Sequence, residues 1–326
     1  MTTEIDRINA KILKDLLKDG RKSFAEIAKE CNTSKDVIAK RYKKMESKGI
    51  IVGSTIQNSP ACYGANLIAA VDIDVHARKE EQVILLAHKI PEVVQVFRSG
   101  FNPNLSIWVV LKKIEELERI KQLIKGLPFV LRVDSRVWIG IKTTPDNLSI
   151  LSVQEPCIDK DTNEKNVATN KNDETKLDKI DTALIEKLAA DGRMPFEKIA
   201  KELKVSTDTV IRRYERLKRN GDLKVVAQIN PTKIGYNAFA ILSIAFSQES
   251  LPEKVIQILS KIPDINFIIK TSGNFDYMFS LMIKDIQQLV STQEEIANMP
   301  GVINMKTVVG KLFGVWPIHR EFISSF

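Results

Sequence analysis

The chain of 326 residues carries the same pattern twice, with an offset of 172 positions. The stretch DRINAKILKDLLKDGRKSFAEIAKE, which begins at Asp6, aligns without gaps with DKIDTALIEKLAADGRMPFEKIAKE, which begins at Asp178. The match continues from SKDVIAKRYKKMESKG at Ser34 to STDTVIRRYERLKRNG at Ser206. A repeat of this kind predicts two similar halves of about 140 residues each, and it restricts the fold to one built from paired copies.

The segment between the copies, residues 144–175, is polar and acidic in its second half and has no apolar periodicity there. This composition predicts a flexible linker. As a coil the linker would have an r.m.s. reach of roughly 30 Å. We therefore expect the two halves to be able to separate while they stay at a high effective concentration.

The first part of each copy has helical periodicity. Ile8, Ile12 and Leu16 recur at every fourth position, which predicts the buried face of a first helix. We expect Gly20 and its counterpart Gly192 to end this helix as left-handed caps.

Two more helices are predicted to follow the first. Ser23 and Glu26 form a capping-box pattern that starts the second helix, and Ser34 or Ser206 starts the third. The apolar spine of the third helix is expected to pack on the first two helices, so that the polar side chains face outward. The predicted spine residues are Ile38, Tyr42 and Met45 in the first copy and Val210, Tyr214 and Leu217 in the second.

From about residue 66 the periodicity of the first copy changes to strand, helix, strand, strand, helix, strand, and the second copy follows the same order. Two helices on one face of a four-stranded antiparallel sheet is the ferredoxin-like arrangement. The other face of the sheet is also apolar, so we expect it to pack against a second sheet. The predicted fold is therefore α+β, with two winged-type helix-turn-helix domains that alternate with two ferredoxin-like βαββαβ domains. The predicted domain bounds are 1–57 and 58–143 in the first copy, a linker at 144–175, 176–229 and 230–318 in the second copy, and a C-terminal tail at 319–326.

The net charge of +8 is concentrated in the two helical segments. Residues 1–56 carry 13 basic and 8 acidic residues, and residues 176–228 carry 13 basic and 9 acidic residues. Basic islands of this kind attract polyanions, which makes double-stranded DNA the leading partner.

A basic third helix after a tight turn is typical of a helix-turn-helix, whose last helix lies in the major groove. Its lysines and arginines can neutralise phosphates, and arginine can also read guanine. We expect Arg212 and Arg216 in particular to contact the groove. The residues predicted to bind DNA are Ser34, Lys35, Asp36, Lys40, Arg41, Lys43, Lys44, Ser206, Thr207, Asp208, Arg212, Arg213, Glu215, Arg216 and Arg219.

Other classes of site find little support in the sequence. Cys31, Cys62 and Cys157 lie far apart without CxxC spacing, and the three histidines are equally scattered, so we expect no disulfide, metal site, cofactor or catalytic set. The tryptophans lie in or beside predicted strands, where core packing is expected. The chain has no long uncharged apolar run, so we expect no membrane partner and a cytoplasmic location.

Each copy resembles the Lrp/AsnC, or feast/famine, family of transcription regulators over nearly its whole length. The resemblance rests on the Asp-Gly-Arg motifs, the IAKE helix, the Ser-started third helix with its Arg-Tyr step, and the stretches TSGNFDYMFSL from Thr271 and MPGVINMKTVVG from Met299. It implies a helix-turn-helix DNA-binding domain and a ferredoxin-like (RAM-type) domain that forms homo-oligomers and often binds an amino acid. The tandem arrangement departs from the single copy that is usual in the family.

The resemblance also implies an effector site at the turn between the middle strands of the second ferredoxin-like domain. The first copy lacks the intact Gly-x-x-Asp-Tyr motif, and Pro103 and Asn104 are expected to stand where Asp276 and Tyr277 do. A carboxylate beside exposed amides can hold an α-amino group, so only the second domain is expected to bind an amino acid. Asp276 could instead simply cap the turn. The predicted effector residues are Gly273, Asn274, Asp276 and Tyr277.

Three functional hypotheses follow from these features. The main one is a sequence-specific transcription regulator whose two helix-turn-helix units take unequal or non-palindromic half-sites, because their outward residues differ. The second is an architectural protein that binds DNA with little sequence preference. The third is an enzyme similar to the sirohaem decarboxylases, which share this two-domain layout.

Overall fold

The computed structural model describes residues 5–98, 103–152, 177–247, 252–312, 314–318 and 321–322. Most of the predicted linker, Gly100, Cys157, His319 and most of the predicted C-terminal tail lie outside the described residues.

In the first half of the chain, three helices come first and a strand–helix–strand–strand–helix–strand sequence follows, as predicted, and one further strand lies between them. The predicted capping box at Ser23 is present, and its side chain accepts a hydrogen bond from the Glu26 amide. The bounds are α1 Arg7–Lys18, α2 Phe24–Glu30, α3 Lys35–Ser47, β1 Ile51–Asn58, β2 Leu67–Val75, α4 Glu80–Ala87, β3 Val93–Arg98, β4 Leu105–Leu111, α5 Glu115–Lys125 and β5 Val130–Thr143.

The second half repeats this order and adds a short terminal strand. The bounds are α6 Lys179–Ala190, α7 Phe196–Leu203, α8 Thr207–Arg219, β6 Leu223–Ile229, β7 Ala238–Phe246, α9 Pro252–Leu259, β8 Ile265–Thr271, β9 Tyr277–Ile283, α10 Ile286–Ala297, β10 Val302–Lys311 and β11 Glu321–Phe322.

The chain divides into two compact units, and each unit takes residues from both halves of the sequence. Unit 1 takes its described residues from Met1–Cys62, Thr143–Tyr236 and Phe313–Ile323, and so contains both sets of three helices. Unit 2 takes its described residues mainly from Tyr63–Lys142 and Asn237–Leu312, and so contains both ferredoxin-like segments.

A three-stranded sheet in the order β11-β1-β6 joins the two halves within unit 1. Strands β1 and β6 are antiparallel, and Ile56 pairs with Val225. Ile56 also lies in the hydrophobic core of the second three-helix set, beside residues such as Leu184 and Val210. The expectation that the halves can separate is therefore wrong for these segments, because a strand of the first half completes the core of the second.

The first residues of the predicted linker are ordered in unit 1. Ser149–Leu151 form a short 3-10 turn, and Leu148 and Leu151 are buried. The Nζ atom of Lys18 at the end of α1 lies 3.5 Å from Asp146. The linker prediction is therefore wrong for this first part, where apolar burial and an ion pair hold the chain against α1.

Unit 2 contains an eight-stranded sheet in the order β10-β7-β9-β8-β5-β2-β4-β3. Each set of four strands has the ferredoxin-like order, and its two helices cover one face. Separate apolar cores lie between sheet and helices, one around Val71 and Ile120 and the other around Leu242 and Ile296.

The two ferredoxin-like segments are joined edge to edge between β5 and β8, which corrects the expectation of two separate sheets. The Ser272 amide donates to the Val137 carbonyl at 3.0 Å, and the Val137 amide donates to the Ser272 hydroxyl. The second face also carries contacts between the segments, since Trp108 stacks on Phe267 with ring centroids 5.8 Å apart. Trp138 packs edge-on against both rings, so the predicted packing role of these two tryptophans is confirmed.

The C-terminal segment returns to unit 1. Trp316 exchanges two backbone hydrogen bonds with Ile229, and its side chain is 5% exposed. The Pro317 carbonyl accepts a hydrogen bond from the Gln228 side chain at 2.9 Å. Residues 314–318, which the sequence assigns to the second ferredoxin-like domain, therefore pack with the helix-turn-helix strands, and β11 continues along β1.

Candidate nucleic-acid interface and effector turn

The helices α3 and α8 follow tight turns that contain a left-handed residue, Asn32 in one case and Lys204 in the other. The Ser34 hydroxyl accepts from the Val37 amide at 3.3 Å, and the Ser206 hydroxyl accepts from the Thr209 amide at 3.1 Å. A serine N-cap leaves the remaining amides of the first turn directed outward, where they can meet a phosphate.

The inward faces of α3 and α8 match the prediction. Ile38 and Met45 are buried under α3, and Tyr42 is half-buried against the ring of Phe24. On α8 all three spine residues, Val210, Tyr214 and Leu217, are buried.

The outward face of α3 is strongly cationic. Lys35, Asp36, Lys40, Lys43 and Lys44 are exposed, as is Ser34 at the start of the helix. None of these four lysines has an ion pair with another residue that the structure describes. They are available to an anionic surface.

Arg41 points away from this face. Its Nη1 atom donates to Asp6 at 2.5 Å and to the Asn9 side chain at 3.2 Å. The guanidinium therefore ties the middle of α3 to the start of α1.

The outward face of α8 carries less free positive charge. Arg213 donates to Asp178 at 2.6 Å and to Asp181 at 2.9 Å, and Arg216 donates to the other oxygen of Asp181 at 2.6 Å. Hydrogen bonds from Arg213 to Asp178, and then to Asp181, raise the pKa of Arg213. Two of the predicted DNA-binding arginines are therefore held by α6. Of the remaining predicted residues, Ser206, Asp208, Arg212, Glu215 and Arg219 are exposed and Thr207 is partly exposed.

A reciprocal clasp formed by Arg21 and Arg193 fixes the two helix-turn-helix sets to each other. The Arg21 guanidinium donates to the Met194 carbonyl at 2.6 Å, and the Arg193 guanidinium donates to the Gly20 carbonyl at 2.6 Å. Arg21 also lies over the Phe196 ring, 4.0 Å from its centroid, while Arg193 lies 5.0 Å from the centroid of Phe24. Sequence reasoning missed this role, although the identical Asp-Gly-Arg motif in both copies was the available signal.

The glycines of this motif are needed for close approach, and the prediction of left-handed caps is wrong. Neither Gly20 nor Gly192 has a positive φ. A Cβ atom on Gly20 would lie 2.8 Å from the Val226 carbonyl carbon, and one on Gly192 would lie 2.7 Å from a Val225 methyl group and 2.8 Å from the Thr55 carbonyl oxygen. Each glycine lets the end of one first helix touch the strand of the other half.

The predicted effector turn follows β8 in unit 2. Gly273 has a φ of +110°, and Asn274 is exposed. Asp276 is exposed, and one of its carboxylate oxygens accepts from the Phe246 amide at 2.7 Å. The Tyr277 side chain is buried, and burial together with the neighbouring Asp276 charge raises the pKa of Tyr277 to about 12.

The corresponding turn of the first half is aligned differently from the sequence expectation. Asn104 accepts from the Val75 amide at 2.7 Å, as Asp276 does from Phe246, and the register of β2 with β4 places Leu105 opposite Ile73. The register of β7 with β9 places Tyr277 opposite Ile244. Asn104 therefore occupies the position of Asp276, and the assignment of that position to Pro103 is wrong, because the paired residues Arg98 and Leu105 are as far apart in sequence as Lys270 and Tyr277.

Other candidate sites are sparse among the described residues. No group of three or more His, Cys, Asp or Glu side chains in the described ranges could hold a metal ion. Cys31 and Cys62 form no disulfide with another described residue. Burial, followed by the nearby Asp222 charge, raises the pKa of Cys62 to about 11. Within the part of the chain that the structure describes, no helix is long and apolar enough to span a bilayer.

The chain has two sets of three helices, and the third helix of each set is serine-capped and carries exposed basic residues. These features place the protein in the helix-turn-helix class. Family models agree: the AsnC-type helix-turn-helix domain matches residues 177–218, a winged helix-turn-helix DNA-binding domain matches residues 5–52, and the Lrp/AsnC ligand binding domain matches residues 237–309. An uncharacterized HTH-type transcriptional regulator of Pyrococcus abyssi is 30% identical over 148 residues, which are 45% of this chain and 93% of that protein. The HTH-type transcriptional regulator FL11 of Pyrococcus furiosus is 30% identical over 146 residues, 44% of this chain and 93% of its own length.

The chain belongs to the Lrp/AsnC family of transcription regulators. Each of these relatives matches less than half of the chain. A solved structure that matches nearly the whole chain is that of the siroheme decarboxylase NirDL, with a TM-score of 0.61, 18% identity, and coverage of 98% of this chain and 94% of that one. At this identity the likeness concerns the fold alone.

Proposed function

We propose that this protein is a sequence-specific regulator that binds double-stranded DNA through α3 and α8. The observation that carries the proposal is the exposed cationic face of α3, on a capped helix that a clasp of two arginines fixes beside its counterpart. A fixed pair of recognition helices suits two adjacent half-sites of one duplex.

The two half-sites are expected to differ in sequence. Lys43 on α3 corresponds to Glu215 on α8, and both are exposed. A lysine is attracted to phosphate, whereas a glutamate is repelled by it or accepts a hydrogen bond from cytosine N4. We infer that the chain arose by tandem duplication and that its two recognition helices have since diverged.

Selection of bound fragments from random double-stranded DNA tests this function. The parent chain should recover an asymmetric motif, and replacing Lys43 and Lys44 together by alanine should weaken binding. The matched control replaces Lys112 and Lys113, two exposed lysines of unit 2, and makes the same change in net charge. Recovery of a perfect palindrome would contradict the unequal half-sites, and equal losses in both double variants would contradict a role for α3.

An architectural role is the alternative within DNA binding. A specific regulator should lose roughly 1 to 3 kcal/mol per mismatched base pair, whereas an architectural protein should lose almost nothing. Competition between the selected site and its single-mismatch variants at fixed salt separates the two, because salt alone weakens both kinds of binding.

An amino-acid effector in the second ferredoxin-like segment is part of the proposal. One oxygen of Asp276 binds the Phe246 amide, and the carboxylate is exposed, so it can pair with an ammonium group. The first half has the neutral Asn104 in the same place, which favours binding by the second half only. Homo-oligomers through unit 2 are likewise proposed from the family.

The substitution Asp276→Asn separates an effector role from simple capping. Asparagine can keep the bond to the Phe246 amide, as Asn104 does in the other half, but it removes the charge. Calorimetry with a panel of amino acids should show binding by the parent and none by Asp276→Asn, at unchanged thermal stability. If Asp276→Asn binds as tightly as the parent, the carboxylate is only a cap.

A tetrapyrrole decarboxylase is a second candidate because the siroheme decarboxylase NirDL matches the fold of nearly the whole chain. His76 and His88 are exposed at separate positions in the first half, which gives little support for such a site. We propose that the chain is not an enzyme. Loss of carboxyl groups from added sirohaem, followed by mass spectrometry, would contradict this.

A further inference from the structure

The start of the first helix differs between the two halves at one position that contacts the recognition helix. Asp6 and Asp178 are the N-caps of α1 and α6, and three residues later stand Asn9 and Asp181. The N-cap is an aspartate in both halves. The residue three positions later is a neutral asparagine in the first half and an aspartate in the second.

In the second half, Asp181 engages two arginines of α8. The residue is 0% exposed, and its two oxygens take hydrogen bonds from Arg213 at 2.9 Å and Arg216 at 2.6 Å. The buried carboxylate also caps the helix by accepting from the Asp178 amide at 3.1 Å. Removing a partner from a buried carboxylate is strongly destabilising, so the ion pair with Asp181 holds Arg216 in place.

In the first half, the neutral Asn9 stands in place of Asp181, so the ion pair between Arg216 and Asp181 has no counterpart there. Asn9 accepts a hydrogen bond from Arg41, the counterpart of Arg213, at 3.2 Å. Lys44, the counterpart of Arg216, is exposed and has no ion pair with any described residue. A neutral amide offers no charge to draw this lysine inward.

A second contact lowers the free charge of α8 further. The Nζ atom of Lys218 lies 2.9 Å from Asp19, a residue of the first half. The counterpart of Lys218 on α3 is Glu46, which is exposed. Because both Arg216 and Lys218 have carboxylate partners, the exposed basic residues that remain on α8 are chiefly Arg212 and Arg219.

We propose that the residue at this position, Asn9 or Asp181, is a positioning residue that decides whether the cation opposite it on the recognition helix is available to DNA phosphate. This inference rests on the proposed DNA binding. With Asn9 the first half offers Lys44, whereas with Asp181 the second half withholds Arg216. The first half then supplies more of the electrostatic part of the affinity, and the second half acts through fewer contacts.

The salt dependence of binding tests the inference. Log K falls as log salt rises, and each neutralised phosphate adds about 0.9 to the magnitude of this slope. All slopes are given as magnitudes. The full chain is titrated with mixed-sequence double-stranded DNA at several salt concentrations. Lys44→Ala should lower the slope by about 0.9, while Arg216→Ala should leave it nearly unchanged. Equal effects of the two substitutions would overturn the inference.

A reciprocal exchange at the positioning site gives the sharper comparison. Asp181→Asn should release Arg216 and raise the slope by up to about 0.9, and adding Arg216→Ala should remove the gain. Asn9→Asp should draw Lys44 inward and lower the slope. A merely structural role for Asp181 would change the midpoint of thermal unfolding without raising the slope, and that result would overturn the inference.

Two controls keep the outcomes distinct. Asparagine already occupies this position in the first half, and thermal unfolding checks that each variant is folded. If Asp181→Asn is unfolded, the comparison of Lys44→Ala with Arg216→Ala and the effect of Asn9→Asp still decide. If the parent chain shows no salt-dependent binding at all, the proposed function fails rather than this inference.

Discussion

At the scale of single residues, the arginine and the glycine of each Asp-Gly-Arg motif contact the other half of the chain. Arg21 and Arg193 each bind a carbonyl oxygen of the opposite helix-turn-helix set, and burial lowers the pKa of the Arg21 guanidinium. The adjacent glycines make room for the strand residues Val225, Val226 and Thr55. The Asp-Gly-Arg motif is therefore explained by the interface between the halves, and only weakly by the end of its own helix.

Gly192→Ala is expected to destabilise unit 1. The new methyl group would lie 2.7 Å from the Val225 side chain and 2.8 Å from the Thr55 carbonyl oxygen, so backbone and side chain must shift. Overpacking of this kind costs about 1 to 3 kcal/mol, measurable as a lower free energy of unfolding in urea. Gly53→Ala is the matched control, since its Cβ would have only an ordinary 3.5 Å contact with the Gln228 side chain. Equal stabilities of the two variants would contradict the close approach.

The buried phenol of Tyr277 predicts a specific loss of stability at alkaline pH. Its pKa is raised to about 12 in the folded chain by burial and then by Asp276, while an unfolded tyrosine titrates near 10. Above pH 10 the unfolded state therefore loses a proton that the folded state keeps, and stability falls as the pH rises from about 10 to about 12. Tyr277→Phe should flatten this part of the profile in urea unfolding from pH 8 to 11. An unchanged profile would contradict the burial of a neutral phenol.

At the scale of elements, the C-terminal segment is expected to stabilise the three-stranded sheet of unit 1. Trp316 is 5% exposed and forms a backbone pair with Ile229. Trp316→Ala should lower the free energy of unfolding by about 3 to 5 kcal/mol, as buried aromatic truncations do. Val315 is 38% exposed, so Val315→Ala should change stability by no more than about 0.5 kcal/mol. Denaturant unfolding of both variants checks this pair of expectations.

The elements that the sequence predicts well depend on local periodicity. The order of strand, helix, strand, strand, helix and strand that is predicted for each copy is the order in the structure. Alternation of buried and exposed side chains along a strand, and a spine along a helix, are visible within about ten residues. The order of elements in both halves followed from these patterns.

The features that the sequence did not predict arise from contacts between distant segments. Leu148 and Leu151 lie in a segment that its composition predicts to be a linker, but in the structure they are buried against α1. Arg216 looks like an outward cation because the helical period says nothing about Asp181, which lies 35 positions earlier. The position of Asn104 follows from the pairing of Arg98 with Leu105, which keeps the 172-residue offset of the repeat, whereas an alignment of Gly100 with Gly273 shifts it by one residue.

At the scale of the whole molecule, cleavage between the halves should not separate them. Strands β1 and β6 pair over seven positions in unit 1, and β5 joins β8 in unit 2. A protease site inserted between residues 152 and 177 should give two fragments that elute together from a sizing column. Elution as two separate species without denaturant would contradict the shared sheets. Cleaved protein in urea is the control for completeness of the cut.

The pairing of β1 with β6 within one chain also changes how mutations act on the molecule. In a dimer of identical chains every substitution is present twice, so its effect on the assembly is doubled and the two sides stay alike. Here a change such as Asn9→Asp or Gly192→Ala enters the paired unit once. One side can therefore vary while the other preserves the shared sheet, and the partners are always supplied in equal number.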